Sequence, residues 1–308
     1  MPASIIIGTR GSPLALWQAN HVRGRLIEVH GLDDGAVDLS AITTSGDRIQ
    51  DKPLADVGGK GLFTKEIDEA LLAGRVALAV HSMKDLPTVL PEGLCVAAVL
   101  PRADVRDAFL SSKAASIMEL PPGAVVGTSS LRRGAQVKRL RPDLRVVDFR
   151  GNVETRLRKL EEGVADATLL AMAGLERLGL TSKVISVLPV DEMLPAVAQG
   201  AIAILAREDD AETKRLLMPL NDQMTATAVA CERAFLAELD GSCRTPIAGL
   251  AEVDGGAVHF RGLILSPGGA EWHDVEMTGA AERAEDLGRK AGEDVLARAG
   301  TNFLAKLP

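Results

Sequence analysis

The sequence predicts an α/β protein: two α/β domains joined by a double crossover around a cleft, with a small C-terminal α+β domain. Three observations predict it. Short apolar runs alternate with amphipathic helical patterns over the first 190 or so residues. A strand-like run, AIAILA at 201–206, has no helix–strand partner of its own and so re-enters the first domain. Beyond residue 245 the pattern changes to successive strands with glycine-rich turns and one closing helix. At 308 residues the chain is also too long for one typical core.

Taken in order, SIIIGT reads as a buried strand and SPLALWQANHVRGRLIEVHG as a helix stopped by Gly31. VDLSAITT is the next strand. The segment SGDRIQDKPLADVGGKG, 45–61, is too polar and too long for an ordinary connection. LFTKEIDEALLAG is an amphipathic helix ending at Gly74, and VALAVHS and GLCVAAVL are strands. This rhythm predicts a mainly parallel sheet. In the second domain AVVGTS, RVVDFR, DATLLA and KVISVLPV read as strands, and SLRRGAQVKRL, NVETRLRKLEEG and AMAGLERLG as helices. The third has the helix MTATAVACERAFLAELDG, the strands PIAGLAEVD, AVHFRGLILS and EWHDVEMTG, and a last helix from residue 280. The expected boundaries are 1–99 with 199–219, 100–198, and 220–308. Crossings near 100 and 198 build a cleft that can hinge.

Composition narrows the function. Apolar residues are 46% and charged residues 25%, with no apolar run long enough to span a membrane. The start, MPASIIIGTRGSP, lacks the pattern of a signal peptide, so a cytosolic protein is expected. The net charge of −7 and 3% aromatics, with no tyrosine, speak against a nucleic-acid partner. Five histidines without helical i, i+3 or i, i+4 pairing and three cysteines outside any C-x-x-C pair speak against a metal site. Cys95 and Cys231 lie in apolar patterns and read as inert core thiols. Cys243 lies in the polar turn DGSCRTPI beside Arg244, and two readings stand: a thiolate favoured by the adjacent cation, or an incidental exposed cysteine.

Residues 130–159 hold ten Lys and Arg against Asp143, Asp148 and Glu154. Lys138, Arg139, Arg141, Arg158 and Lys159 read as a solvated helix face. Arg132, Arg133, Arg150 and Arg156 differ, because TSSLRR and RGNVETR each follow a strand and open a helix, where α/β sheets bind anions. Thr128, Ser129 and Ser130 add hydroxyl donors, and arginine suits planar carboxylates. GTRGSP repeats the pattern with Arg10 and Ser12. HSMKDLP gathers His81, Ser82, Lys84 and Asp85 at a strand end; Lys84 and Asp85 form either a surface pair or a carboxylate poised to stabilise positive charge. No G-x-x-x-x-G-K-[ST] loop is present, so a nucleoside triphosphate is not indicated.

Together GTRGSPLALWQA, GDRIQDKPLADVGGKGLFTKEID, AVHSMKDLPT, GTSSLRR, DFRGNVETR, PAVAQGAIAI and DGSCRTPIAG resemble, in order, the hydroxymethylbilane synthase (porphobilinogen deaminase) family. The last 50 or so residues are similar only in general character. The resemblance implies two periplasmic-binding-protein-like α/β domains and a transferase of porphyrin and haem biosynthesis. It implies that four porphobilinogens are joined head to tail, with loss of ammonia, onto a dipyrromethane cofactor held by a thioether on Cys243; water then releases the linear tetrapyrrole. Asp85 matches the catalytic aspartate. Arg10, Ser12, Lys84, Arg132, Arg133, Arg150 and Arg156 match binders of cofactor and substrate carboxylates. Thr128, Ser129 and Ser130 match cofactor contacts, and Lys60, Phe63 and Gln199 match cleft positions. Ser82 and Gly151 join the same binding set. The 45–61 segment matches a mobile loop over the cleft. A monomer with a small-molecule substrate and no membrane partner is expected. One departure is Ser242, where many members carry glycine.

Two other readings of the residues compete. One is a two-lobed solute-binding or sensing protein, which leaves Asp85 and Cys243 idle. The other is a transferase using Cys243 as nucleophile with His81 as its base.

Overall fold

A computed structural model describes residues 4–48, 62–239, 245–305 and 307. The chain forms two compact units. One holds Gly200–Ala226 and the described parts of Met1–Asp51 and Gly59–Ala103; the other holds Asp104–Gln199 and the described parts of Thr227–Pro308.

The first unit opens with β1 (Ile5–Arg10), α1 (Pro13–His30), β2 (Val37–Ile42), α2 (Ser45–Arg48), α3 (Lys65–Leu72), β3 (Leu78–Ser82) and β4 (Leu94–Val99). The second runs through β5 (Asp107–Ser111), β6 (Val125–Gly127), α4 (Leu131–Leu140), β7 (Arg145–Val147), α5 (Val153–Glu161), β8 (Ala167–Ala171), α6 (Met172–Arg177) and β9 (Ser186–Val187). The chain returns to the first as β10 (Ile202–Arg207) and α7 (Ala211–Leu217). It closes with α8 (Gln223–Glu238), β11 (Ile247–Asp254), β12 (Ala257–Leu265), β13 (Trp272–Ala280) and α9 (Ala284–Leu304).

Two five-stranded sheets share one plan: β2-β1-β3-β10-β4 and β7-β6-β8-β5-β9. In each, the first three strands pair in parallel, and the fourth runs antiparallel to both neighbours. That fourth strand is in both cases the first to follow a crossing, β10 after the return and β5 after the departure. The sheets are therefore mainly parallel in strand direction, four strands of each running one way, and the double crossover feeds one reversed strand into each. A third sheet, β11-β12-β13, is antiparallel throughout.

The cores follow the periodicities. Ile7, Leu78, Val80 and Ile204 pack on Ala19, Val22 and Leu26 of α1; each such aliphatic side chain contributes about 1.5–3 kcal/mol of burial. Phe109, Val126 and Leu169 face Val137 of α4, and Ala108, Leu110 and Leu170 face Met172 and Leu175. In the third layer Phe235 of α8 meets Phe260 of β12, ring centroids 4.9 Å apart. Helix α1 begins at its Ser12 cap, with Pro next, and ends on Gly31 at φ 59°, where the glycine N–H donates to the Ile27 carbonyl.

Two strand expectations shift, and one strand appears where none was expected. DAFLS carries no clear periodicity but becomes β5 by pairing between β8 and β9. RVVDFR shortens to β7, because the Phe149 N–H turns to the Ser129 hydroxyl at 2.9 Å. KVISVLPV shortens to β9, Pro189 having no N–H to pair. Before β10, Ala198 holds φ 60°, while the buried Glu232 carboxylate accepts from the Ala198 and Ala251 amides at 2.6 and 2.8 Å.

Candidate active site

In the first unit the carboxyl ends of β1 and β3 and the turn Met83–Asp85 enclose a pocket of about 60 Å³. It is lined by Arg10, Ser12, Gln18, Phe63, His81, Ser82 and Asp85 among others. The guanidinium of Arg10 lies over the Phe63 ring at 4.4 Å. Ser12 both caps α1, accepting from the Ala15 amide at 3.3 Å, and faces the pocket. Gln18, buried in α1, donates to the Ser82 hydroxyl at 2.9 Å and fixes the end of β3. His81 is buried; burial, with the Arg10 charge added, pulls its imidazole from the ordinary 6.5 down to about 4. The ring is therefore neutral near pH 7, and Asp85 faces the pocket beside a cation and an uncharged imidazole.

The second unit builds a different cluster. Arg132 and Arg133, both 5% exposed, donate at 2.7 Å to the two oxygens of Asp107, which is fully buried. Their remaining bonds run to the carbonyls of Leu194 (2.7 Å) and Leu169 (3.0 Å). Gln199 donates to Asp107 at 2.8 Å and to the Val105 carbonyl at 2.8 Å. Burial opposes the Asp107 charge, but the two guanidiniums prevail and hold its carboxyl well below the usual carboxylate range. Burial lowers Arg132, and Asp107 counters it. These three side chains sum to one positive charge. Each arginine also keeps a buried Nε–H without a partner. Unsatisfied buried donors beside a surplus cation suit an anion with several carboxylates, so this chain's residues fit an acidic cofactor or substrate.

The turn from β6 into α4 is tied by its own hydroxyls. Ser130 caps α4, Thr128 accepts from the Ser130 amide at 3.2 Å, and Ser129 pairs with Asp148. After β7, Gly151 holds φ 122°, and a Cβ there would meet Thr155 Cγ2 at 2.5 Å, so the turn admits no side chain. Arg156 Nε donates to the Gly151 carbonyl at 2.9 Å, and Lys159 Nζ to the Arg150 carbonyl at 3.0 Å. The basic residues read as a solvated face are partly structural: Arg141 ties Asp143 to the carbonyls of Ile117, Met118 and Leu120, and Arg139 covers Trp272.

The structure thus brings together Arg10, Ser12, Phe63, Ser82 and Asp85 in one unit, and Arg132, Arg133 and Gln199 in the other. Lys60, Cys243 with Arg244, and most of the 45–61 loop lie outside the described residues. Of the other thiols, Cys231 is buried and pushed up to about 12, and burial also raises Cys95, which is half-buried; both suit inert packing. Asp107 and Gln18 were missed by sequence reasoning. Asp107 sits in no motif, and Gln18, though inside GTRGSPLALWQA, lies mid-helix; only the pairing of distant elements gives them partners. Among the described residues no helix is long and apolar enough to cross a membrane.

Fold and residues define a double-crossover α/β protein with a pocket lined by Arg10 and Asp85 in one unit and a buried Arg132–Arg133–Asp107 cluster in the other. Two family models match the chain: "Porphobilinogen deaminase, dipyromethane cofactor binding domain" over residues 5–215 and "Porphobilinogen deaminase, C-terminal domain" over 226–297. The chain is 57% identical to a porphobilinogen deaminase of Nitrobacter hamburgensis over 96% of its length and 94% of that protein's. It is 56% identical to that of Paracoccus denitrificans, covering 97% and 96%. Among solved structures it is similar to the methionine-binding protein MetQ, with a TM-score of 0.46 and 16% identity over 71% of this chain and 90% of that one. The chain belongs to the porphobilinogen deaminase family. It is accordingly an enzyme of tetrapyrrole synthesis, a transferase with a dipyrromethane cofactor-binding domain.

Proposed function

We propose that Asp85 is the catalytic carboxylate of this deaminase and that Cys243 carries the dipyrromethane through a thioether. The observation that carries the reading is the pocket at the end of β3, where Asp85 meets Arg10, Ser12 and a neutral His81. Porphobilinogen brings two carboxylates, a pyrrole N–H and an aminomethyl group. As ammonia leaves with the electron pair of the C–N bond, positive charge develops on the pyrrole. Asp85 accepts the pyrrole N–H and stabilises that charge in a pocket partly closed to water. Arg10, Ser12 and Ser82 orient the incoming unit, with Phe63 holding the Arg10 guanidinium flat. Lys84 and, in the second unit, Arg132, Arg133, Arg150 and Arg156 bind the acidic side chains of the growing product. The hydroxyls of Thr128, Ser129 and Ser130, with Gly151 and Gln199, shape those binding turns. Lys60 joins the same set. Dipyrromethane, when bound, supplies the primer to which four units are added before hydrolysis releases hydroxymethylbilane. The enzyme works as a monomer in the cytosol.

Intact mass of the purified protein, followed by a peptide map, tests the assignment. The expected result is a dipyrromethane mass on the peptide holding GSCRTPI. An unmodified Cys243 that porphobilinogen also fails to load overturns it. Light scattering in solution checks the monomer.

A further inference from the structure

His81 is not accounted for by these roles. It sits on β3 among Leu78, Ala79 and Val80, where an apolar side chain would fill the space with no polar group to desolvate. It is 5% exposed, lines the Asp85 pocket, and its Nε2 is buried with no hydrogen-bond partner. Buried polar atoms in native structures almost always have a partner, so an orphan beside a binding pocket points to one that arrives with the ligand. The charge that acts on His81 is Arg10, which lines the same pocket.

We propose that His81 is a specificity contact for porphobilinogen, donating a ring N–H to the same substrate carboxylate that Arg10 pairs with. This rests on the deaminase reading above. A carboxylate docking on Arg10 balances the guanidinium charge that lies beside the neutral imidazole. It also brings an acceptor to the buried Nε2, which otherwise has none. The ring stays uncharged until then, so it does not compete with Asp85 for the positive charge that develops on the substrate. No bond is made or broken by His81; it orients the unit whose C–N bond breaks.

The test compares two holoenzyme variants of similar side-chain size, His81→Gln and His81→Leu. Both lose the ring, so the cost of losing it is common to the pair, and only glutamine keeps a donor. Intact mass is read first: a wild-type protein without dipyrromethane sinks the deaminase assignment itself and not this contact. With cofactor loaded, the expected result is a KM for porphobilinogen at least tenfold higher in His81→Leu than in His81→Gln, with kcat values within threefold of each other. Equal KM values in the two variants overturn the contact and leave His81 a core residue. Should neither variant fold, the His81 ring ¹⁵N resonances of wild-type holoenzyme decide. Movement on adding porphobilinogen supports the contact, and no movement overturns it.

Discussion

Asp85 and His81 line one pocket, and each is open to a test of its own. Replacing Asp85 by Asn removes the negative charge and keeps the shape. The expected result is a fall in kcat of about 10²-fold or more with a small change in KM, read by steady-state kinetics on cofactor-loaded protein. A kcat within fivefold of wild type would remove Asp85 from the chemistry. His81 also affects stability. Its imidazole titrates at about 4 in the folded protein against 6.5 ordinarily, so the unfolded chain binds the proton more readily between those values. Stability is therefore lost as pH falls from about 6.5 to 4, by about 3 kcal/mol from this one group. Asp68, raised by burial to about 6, works in the opposite sense, losing stability as pH rises. The difference between wild type and His81→Leu isolates the histidine. Urea melts at pH 7 and pH 4.5 should show wild type losing more than the variant, and equal losses would contradict the assignment.

At the scale of elements, α4 is fixed by charge as much as by apolar packing. Arg132 and Arg133 lie on its first turn, and their partner Asp107 opens β5. Asp107→Asn leaves two buried guanidiniums without their counter-charge, and breaking such a pair costs about 3–5 kcal/mol. A denaturant melt of the variant at pH 7 is expected to show a loss of that size. Because the folded Asp107 carboxyl is held low, its contribution is present above the ordinary carboxylate pKa and lost as pH falls below it. The wild type should therefore lose stability below about pH 4 faster than Asp107→Asn. A variant that unfolds at the wild-type denaturant midpoint would show that the arginines find other partners.

At the scale of the whole molecule, a net charge of −7 works against binding an anion. Attraction has to come from local clusters, whose reach is about 10 Å at 0.1 M salt. Raising KCl from about 50 to 500 mM should therefore raise the KM for porphobilinogen several-fold while leaving kcat nearly unchanged. A salt-independent KM would mean that hydrogen bonds rather than charge hold the carboxylates.

The sequence by itself determined the elements with strong periodicity or punctuation: α1 between Ser12 and Gly31, the buried strands β1, β3 and β10, and the three-stranded layer. It also placed Arg10, Ser12 and Asp85 at strand ends, because strand-to-loop turns are legible from local residues. Only the tertiary structure decided what had no local signal. DAFLS is a strand because β8 and β9 offer it ladders. Asp107 is a counter-ion because two arginines some 25 residues away in sequence fold onto it. Arg132 and Arg133, read as anion binders, are nearly closed from water; burial depends on what packs above a side chain, which no spacing encodes. His81 likewise gains its depressed proton affinity from burial and from Arg10 on a neighbouring strand, a meeting set by the register of β1 against β3.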